Sequence, residues 1–375
     1  MSELEAVSVI LVGFGAVNRA LARLIAQETE RLAQEHRCCV RYHAVIARHG
    51  CWEATQSPLL PSSVSAMADE VAQGSARLDG IKTPAPDGVV ATATPSVEAI
   101  RGIISRIPTG GPACVIEAID VDYDAGEPAV TYLQDAISRG CHAISANKGP
   151  VVHQRAALLA LAAAHGVRYL HESAVMDGVP IFSAWRGGFL PGGARLTKFR
   201  GCLNSTTSVV LTGMEKGQTM QEALKTAQDA GIAEADPSGD LKGMDAAVKV
   251  VAIASALELG GGAGNESMSL ADVAISGIDQ VTQEQVAEAL SQGRKLRLVS
   301  GAECQDGTSR PFGYVRVESL AADDVLYGLD GGDAAVTLYT DRLAPVTITQ
   351  KGSEVTDTAF GCYADLLRAV RPQAV

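Results

Sequence analysis

Aromatic residues are scarce, at 4% of the 375-residue chain, and positive charge is in deficit: 31 Lys and Arg against 43 Asp and Glu, for a net charge of −12. A chain with no basic surplus cannot neutralise a phosphate backbone, which excludes nucleic acid as a natural partner. Apolar runs are short as well, and none reaches the roughly 20 residues that span a bilayer. The opening stretch MSELEAVSVILVG has no basic region before its apolar part, so it does not read as a secretory signal, and a cytoplasmic protein is expected. Eight cysteines are present (Cys38, Cys39, Cys51, Cys114, Cys141, Cys202, Cys304 and Cys362), but none forms a Cys-x-x-Cys pair. Structural zinc and a disulfide framework are both disfavoured, and reduced, mostly buried thiols are expected. Internal repeats and low-complexity tails are also missing. What remains is 47% hydrophobic and 20% charged, with 38 glycines, which suits an α/β protein of two or three structural units with many tight turns.

The first informative stretch is SVILV at 8–12, which runs into Gly13-Phe14-Gly15-Ala16-Val17-Asn18 and then into a helical pattern with Val17, Leu21, Leu24 and Ile25 on one side. Strand, glycine turn and helix in that order open a dinucleotide-binding unit. Gly13 permits the tight turn, and Gly15 lets the backbone approach a pyrophosphate at the helix N-terminus. Asn18 stands at the third glycine position of the fingerprint. The next strand, Val40–Ala47, ends at Arg48-His49, where an acidic residue would hold the ribose hydroxyls of NAD. A cation there suits a ribose 2′-phosphate, so NADP is the expected cofactor, with NAD as the alternative. Strands are also expected at 89–92, 113–117 and 141–145, the last ending in Ala146-Asn147-Lys148. A lysine at the carboxyl end of a parallel strand faces the crevice where such sheets bind ligands. No chemistry is assigned to 50–88.

Beyond about Ile181 the βα alternation fades. Ala194–Leu203 alternates like a strand and leads into Asn204-Ser205-Thr206-Thr207-Ser208, a hydroxyl-rich turn expected to cap a helix near Val209–Met214. Residues 227–249, AQDAGIAEADPSGDLKGMDAAVK, break a helix at Ala230-Gly231, cross an acidic loop and begin a second helix expected to run from Leu241 to Leu259. Asp245 and Lys249 lie four apart on one face of it. Spacing alone supports only an acidic loop and an ordinary ion pair. A glycine-rich connector is expected at 260–264. Strands near 295–300, 312–318, 334–340 and 345–349 suggest a mainly antiparallel sheet, and a helix closes the chain at 357–370.

Taken together, GFGAVN at 13–18, SANKGP at 145–150, HESAVMDGVPIF at 171–182, GCLNSTTSVVLTGM at 201–214 and the 227–249 stretch resemble the homoserine dehydrogenase family, in order and over nearly the whole chain. The resemblance implies a Rossmann-type dinucleotide-binding domain joined to a second α+β catalytic and dimerisation domain. It divides the chain into 1–171 with 350–375 for the cofactor, 172–180 with 311–349 for a homodimer contact, and 181–310 for the substrate. It further implies reversible NAD(P)-dependent oxidation of L-homoserine to L-aspartate 4-semialdehyde, in the pathway to threonine, methionine and isoleucine.

By the same resemblance Lys148 and Lys249 assist proton transfer, Glu234 and Asp240 hold the substrate, Asp245 orients Lys249, and Thr206 faces the substrate or nicotinamide. The carboxylates answer a physical need, since an amino-acid ammonium requires a partner when desolvated. Cofactor contacts fall on Gly13, Gly15, Ala16, Val17, Asn18, Arg48, Lys148 and Gly352. A monovalent cation such as sodium is expected on the Glu172 side chain and the carbonyls of Val175, Asp177 and Val179. The family usually has glycine at Ser205 and often tyrosine at Ile232. The chain ends shortly after its last helix, so no C-terminal regulatory domain is expected. Two other readings fit the same residues: a same-fold dehydrogenase acting on a related amino-acid alcohol or semialdehyde, and a non-catalytic NAD(P)-binding regulator.

Overall fold

A computed structural model describes residues 4–72, 89–92, 95–260, 268–304 and 310–371. In chain order the strands and helices are β1 Glu5–Val12, α1 Ala16–Gln27, α2 Thr29–Glu35, β2 Cys38–Ala47, β3 Gly50–Ala54, α3 Pro61–Ala72, β4 Val89–Thr92, α4 Val97–Ser105, β5 Ala113–Glu117, α5 Ala129–Ser138, β6 His142–Ser145, α6 Lys148–Ala164 and β7 Tyr169–Leu170. There follow α7 Ile181–Ala184, β8 Leu196–Cys202, α8 Ser205–Glu215, α9 Met220–Asp229, α10 Ser238–Leu241, α11 Met244–Ala256, β9 Val273–Ile275, α12 Gln283–Ser291, β10 Lys295–Cys304, β11 Pro311–Leu320, β12 Ala334–Thr340, β13 Val346–Gln350 and α13 Val355–Val370. The chain divides into two compact units, Met1–Val179 with Glu354–Val375, and Pro180–Ser353.

The first unit is a seven-stranded sheet in the order β4-β3-β2-β1-β5-β6-β7. β1 pairs in parallel with both β2 and β5, so the strand order reverses there and a crevice opens at its carboxyl end. β1 is covered on both faces, which is why six successive residues from Val7 to Val12 are buried without polar alternation. Residues of α1, α3 and α13 pack on one face of the sheet, and those of α4 and α5 on the other. β3, which runs antiparallel to β2, was not anticipated, because its five residues carry no clear alternation.

The second unit is a six-stranded sheet in the order β13-β12-β8-β10-β11-β9, antiparallel except for β11 with β9. α8, α11 and α12 pack against β10. β8, from the expected substrate region, lies between β12 and β10, so the expected substrate and dimer regions share one sheet and are not separate units. Residues 172–179 belong to the first unit instead, and the return to it comes at Glu354 rather than at residue 350.

The helix expected over Leu241–Leu259 is broken at Gly243, whose φ of +84° is left-handed. A Cβ on the neighbouring Gly277 would stand 2.0 Å from the Leu241 carbonyl oxygen, so close backbone approach shapes this break. Of the expected glycine connector, 261–264 lie outside the described residues. None of the eight cysteines, all of them among the described residues, is in a disulfide. Among the described residues no helix is long and apolar enough to cross a membrane.

Candidate active site

In the first unit, geometry at the end of β1 decides what each glycine does. Gly13 has φ +86°, and a Cβ there would stand 2.4 Å from the Ala118 carbonyl oxygen, so only glycine fits. Gly15 caps α1 with φ −76°, a value open to any residue, yet nothing lies within 4 Å of its Cβ position. Its bare backbone faces open space. α1 has neither a side-chain cap nor an acidic residue in its first turn, so its leading N–H groups are offered to an anion. Ala16 is exposed and Val17 half-buried at the helix start.

At Asn18, expected at the cofactor, the side chain serves the turn itself. Its side chain is wholly buried, and Nδ2 donates to the Gly13 carbonyl at 2.6 Å while lying 3.3 Å from the Val12 and 3.4 Å from the Ile116 carbonyl oxygens. Asn18 therefore staples the turn closed from behind, which a third glycine could not do.

A cleft of about 960 Å³ opens over this turn, lined among others by Gly13, Gly15, Arg19, Arg48, Asp120 and Asp122. The open space at Gly15, the uncapped helix and two arginines suit the pyrophosphate of a dinucleotide. Arg48, just past β2, pairs with Asp120, just past β5, and both side chains are largely exposed. Arg19 was missed by sequence reasoning; its signal was a cation one turn into the helix after the glycine turn. Burial, and then the neighbouring Arg23, hold its pKa below the ordinary value.

Lys148 is the first residue of α6, whereas the apolar pattern suggests a helix only from Gln154 to His165. Asn147 caps the helix, its Oδ1 accepting from the Gly149 amide at 2.9 Å. Behind it lies Glu117, fully buried, accepting from Ser145 Oγ at 2.6 Å, the Ile119 amide at 2.8 Å and Asn147 Nδ2 at 3.3 Å. Burial pushes the Glu117 carboxyl up, against these three hydrogen bonds. A cation at a helix N-terminus opposes the macrodipole, typically by about 0.3–1 kcal/mol, so the position of Lys148 is not explained by helix stability.

The stretch 172–179 is tied to α13. Arg368 donates to Glu172 Oε2 at 3.1 Å and to Asp365 Oδ1 at 2.9 Å, and Thr358 Oγ1 donates to Asp177 Oδ1 at 2.9 Å. Val175 is buried, and the Val179 amide donates to the Met176 carbonyl at 3.0 Å. The Glu172 carboxylate, expected to hold a cation, also faces the Arg368 guanidinium through Oε2. Gly352, also expected at the cofactor, is held from within the second unit. It lies at the end of β13 in the second unit, where its amide donates to Asp333 Oδ1 at 3.0 Å and is thus committed within the protein.

In the second unit, Asp245 and Lys249 do meet on α11: Lys249 Nζ is 2.9 Å from Asp245 Oδ2, with side chains only 16% and 12% exposed. The lysine also donates to the Leu203 carbonyl at 2.7 Å. Asn204, not foreseen as a site residue, is the hub. Its Nδ2 donates to Asp240 Oδ1 at 2.6 Å and to Asp245 Oδ2 at 2.9 Å, while its Oδ1 caps α8 by accepting from the Thr207 amide at 2.8 Å. The cap is this amide rather than the hydroxyl run, and α8 starts at Ser205 instead of near Val209. Thr206 is buried, its Oγ1 3.4 Å from the Ile232 carbonyl, so it supports the acidic loop. The Glu234 side chain is exposed, while its carbonyl accepts from Gln228 Nε2 at 3.1 Å. Asp240, Asp245 and Lys249 are thus brought together around Asn204, with Thr206 two residues on in α8 and Glu234 on the loop before α10.

A family model for homoserine dehydrogenase matches residues 180–367. The chain is 30% identical over 365 residues to an NAD(+)-dependent homoserine dehydrogenase of Pseudomonas canavaninivorans, covering 95% of this chain and 94% of that one. A homoserine dehydrogenase of Methanocaldococcus jannaschii is 26% identical over 367 residues, covering 96% and 97%. Among solved structures, a homoserine dehydrogenase from Thiobacillus denitrificans has a TM-score of 0.76 at 24% identity, covering 99% of this chain and 74% of that one. One from Thermoplasma acidophilum has a TM-score of 0.74 at 22% identity, covering 97% and 99%.

Proposed function

The chain belongs to the homoserine dehydrogenase family, and from that membership we propose that it interconverts L-homoserine and L-aspartate 4-semialdehyde with a nicotinamide dinucleotide, in the supply of threonine, methionine and isoleucine. The observation that carries the reading is the shielded cluster of Lys249, Asp245, Asp240 and Asn204. An ammonium group has three N–H bonds, and Leu203 and Asp245 take two of those on Lys249. The third serves the oxygen of the substrate. In aldehyde reduction that N–H steadies the negative charge growing on the oxygen and is delivered to it as the proton of the new hydroxyl; in alcohol oxidation Lys249 starts as the neutral amine, and its lone pair takes the hydroxyl proton as the hydride leaves the carbon.

Asp240 and Glu234 receive the substrate ammonium, which needs carboxylate partners once desolvated. Asp245 orients Lys249. Lys148 is the second proton-handling and cofactor-side cation, and its place at a helix N-terminus against the dipole is the reason to assign it a chemical role. The bound nicotinamide supplies the acceptor for the hydride that leaves the alcohol carbon. Gly13, Gly15, Ala16 and Val17 present the turn and helix start to the cofactor phosphates, and Asn18 keeps that turn in shape.

NADP is the preferred cofactor in this reading, because Arg48 exchanges Asp120 for a ribose 2′-phosphate. The Pseudomonas relative is named as NAD(+)-dependent, so both cofactors enter the test. The enzyme works in the cytoplasm as a homodimer formed through strands in 311–349. Steady-state rates with homoserine and each cofactor in turn decide the matter. Turnover with homoserine, favouring NADP, is expected; no turnover with either cofactor would remove the reading. Light scattering of the purified protein checks the dimer, and a monomer at micromolar concentration refutes it.

A further inference from the structure

Asn204 does two separable things with two ends of one amide. Its Oδ1 caps α8 through the Thr207 amide at 2.8 Å, which fixes the orientation of the group and leaves both hydrogens of Nδ2 for Asp240 at 2.6 Å and Asp245 at 2.9 Å. The residue is 5% exposed and Asp245 9%. Two carboxylates drawn to one nitrogen repel each other, and more strongly where water is scarce. A neutral group with two hydrogens restrains both without adding positive charge that would compete with the substrate ammonium. Serine has one hydrogen to give, ionised aspartate none, and lysine or arginine would neutralise the pair.

We propose that Asn204 is a positioning residue of this reaction: it holds Asp240 and Asp245 side by side and, through Asp245, sets the direction of Lys249. The inference rests on the dehydrogenase reading above. The helix cap alone needs only Oδ1, so the two roles come apart by substitution. Asn204→Ser keeps a good N-cap and loses the paired donors, Asn204→Asp keeps the cap and adds a third carboxylate, and Asn204→Ala loses both.

The experiment measures thermal stability, cofactor binding by the fluorescence of NADPH and NADH, and kcat and KM with homoserine for the parent and the three variants. Asn204→Ser is expected to melt close to the parent and to bind cofactor normally. Its kcat should fall on the order of 10- to 100-fold and its KM for homoserine rise on the order of 10-fold, because a small misplacement of a reacting group carries such a cost. Asn204→Asp should be worse than Asn204→Ser in both constants and should also melt lower, because a third carboxylate in this shielded place adds repulsion; Asn204→Ser is therefore the deciding variant. The inference is overturned if Asn204→Ser keeps the parent's kcat and KM, or if activity across the three variants merely follows melting temperature. A parent that turns over homoserine beside a normal Asn204→Ser removes this inference alone, whereas a parent with no turnover removes the functional reading and this inference with it.

Discussion

Consider alanine placed in turn at Gly13 and at Gly15, two residues apart in the same turn. At Gly13 the φ of +86° is left-handed, which costs an L-residue roughly 1–2 kcal/mol. The added Cβ would also stand 2.4 Å from the Ala118 carbonyl oxygen, 2.7 Å from its carbon and 2.9 Å from Ile119 Cγ2. Two of those atoms are backbone at the end of β5, so relief requires the strand end to shift, at about 1–3 kcal/mol for overpacking. The sum, about 3 kcal/mol, lowers the melting temperature by roughly 6–12 °C for a unit of this size.

At Gly15 neither penalty exists, since φ is −76° and no atom lies within 4 Å of the Cβ position. Gly15→Ala should leave the melting temperature within about 2 °C of the parent, because restricting the unfolded chain slightly favours the fold. It should instead weaken dinucleotide binding by about 10- to 100-fold, or roughly 1.4–2.8 kcal/mol, by putting a methyl where a pyrophosphate must approach. Scanning fluorimetry and titration of NADPH fluorescence read the two effects separately. An unchanged Kd for Gly15→Ala, or an unchanged melting temperature for Gly13→Ala, refutes the assignment of the turn.

Lys249→Met and Lys148→Met should each lower kcat by about 10²- to 10⁴-fold, the usual range for a lost acid–base group, while NADPH still binds; near-normal turnover in both strips them of their roles. Arg48→Asp should raise KM for NADP more than KM for NAD, and equal effects remove Arg48 from cofactor choice. The third concerns pH. Burial pushes the Asp365 carboxyl up to about 6 from an ordinary 3.8, with the Glu172 charge adding to the rise and hydrogen bonds from the Glu172 amide and Arg368 opposing it. The folded protein therefore keeps a proton that the unfolded chain releases, and stability falls as pH rises from about 4 to about 6, by on the order of 3 kcal/mol for a shift of about two units. Denaturant midpoints across that window should lose this component in Asp365→Asn, and an identical pH dependence in the variant refutes it.

Much of the fold is written locally. A run of buried apolar residues ending in a glycine turn and a helix can hardly form anything but the start of a parallel sheet, and β1 with α1 is where the sequence says. β10 to β13 were legible for the same reason, as alternation bounded by turn residues. β3 was not, because five residues carry too few alternations and its pairing with β2 depends on a neighbour. The starts of α6 and α8 were hidden too. Both helices begin on polar residues, Lys148 and Ser205, and the asparagine cap before each leaves no apolar period to read.

The site divides in the same way. Covalent spacing alone puts Asp245 and Lys249 on one helical face, so the sequence by itself determined that ion pair. It also determined that Gly13 and Gly15 lie in one turn. Only the tertiary structure could decide that these two glycines do different work, since the difference lies in whether Ala118 stands behind the missing Cβ. Only it could decide that Asn18 closes the turn from inside, that Arg368 faces Glu172, and that the Gly352 amide belongs to Asp333. The hub at Asn204 is the clearest case. Nothing in the spacing of residues 204, 240 and 245 says that one amide reaches both carboxylates, because the loop between α9 and α11 has no periodicity of its own and takes its course from what it packs against.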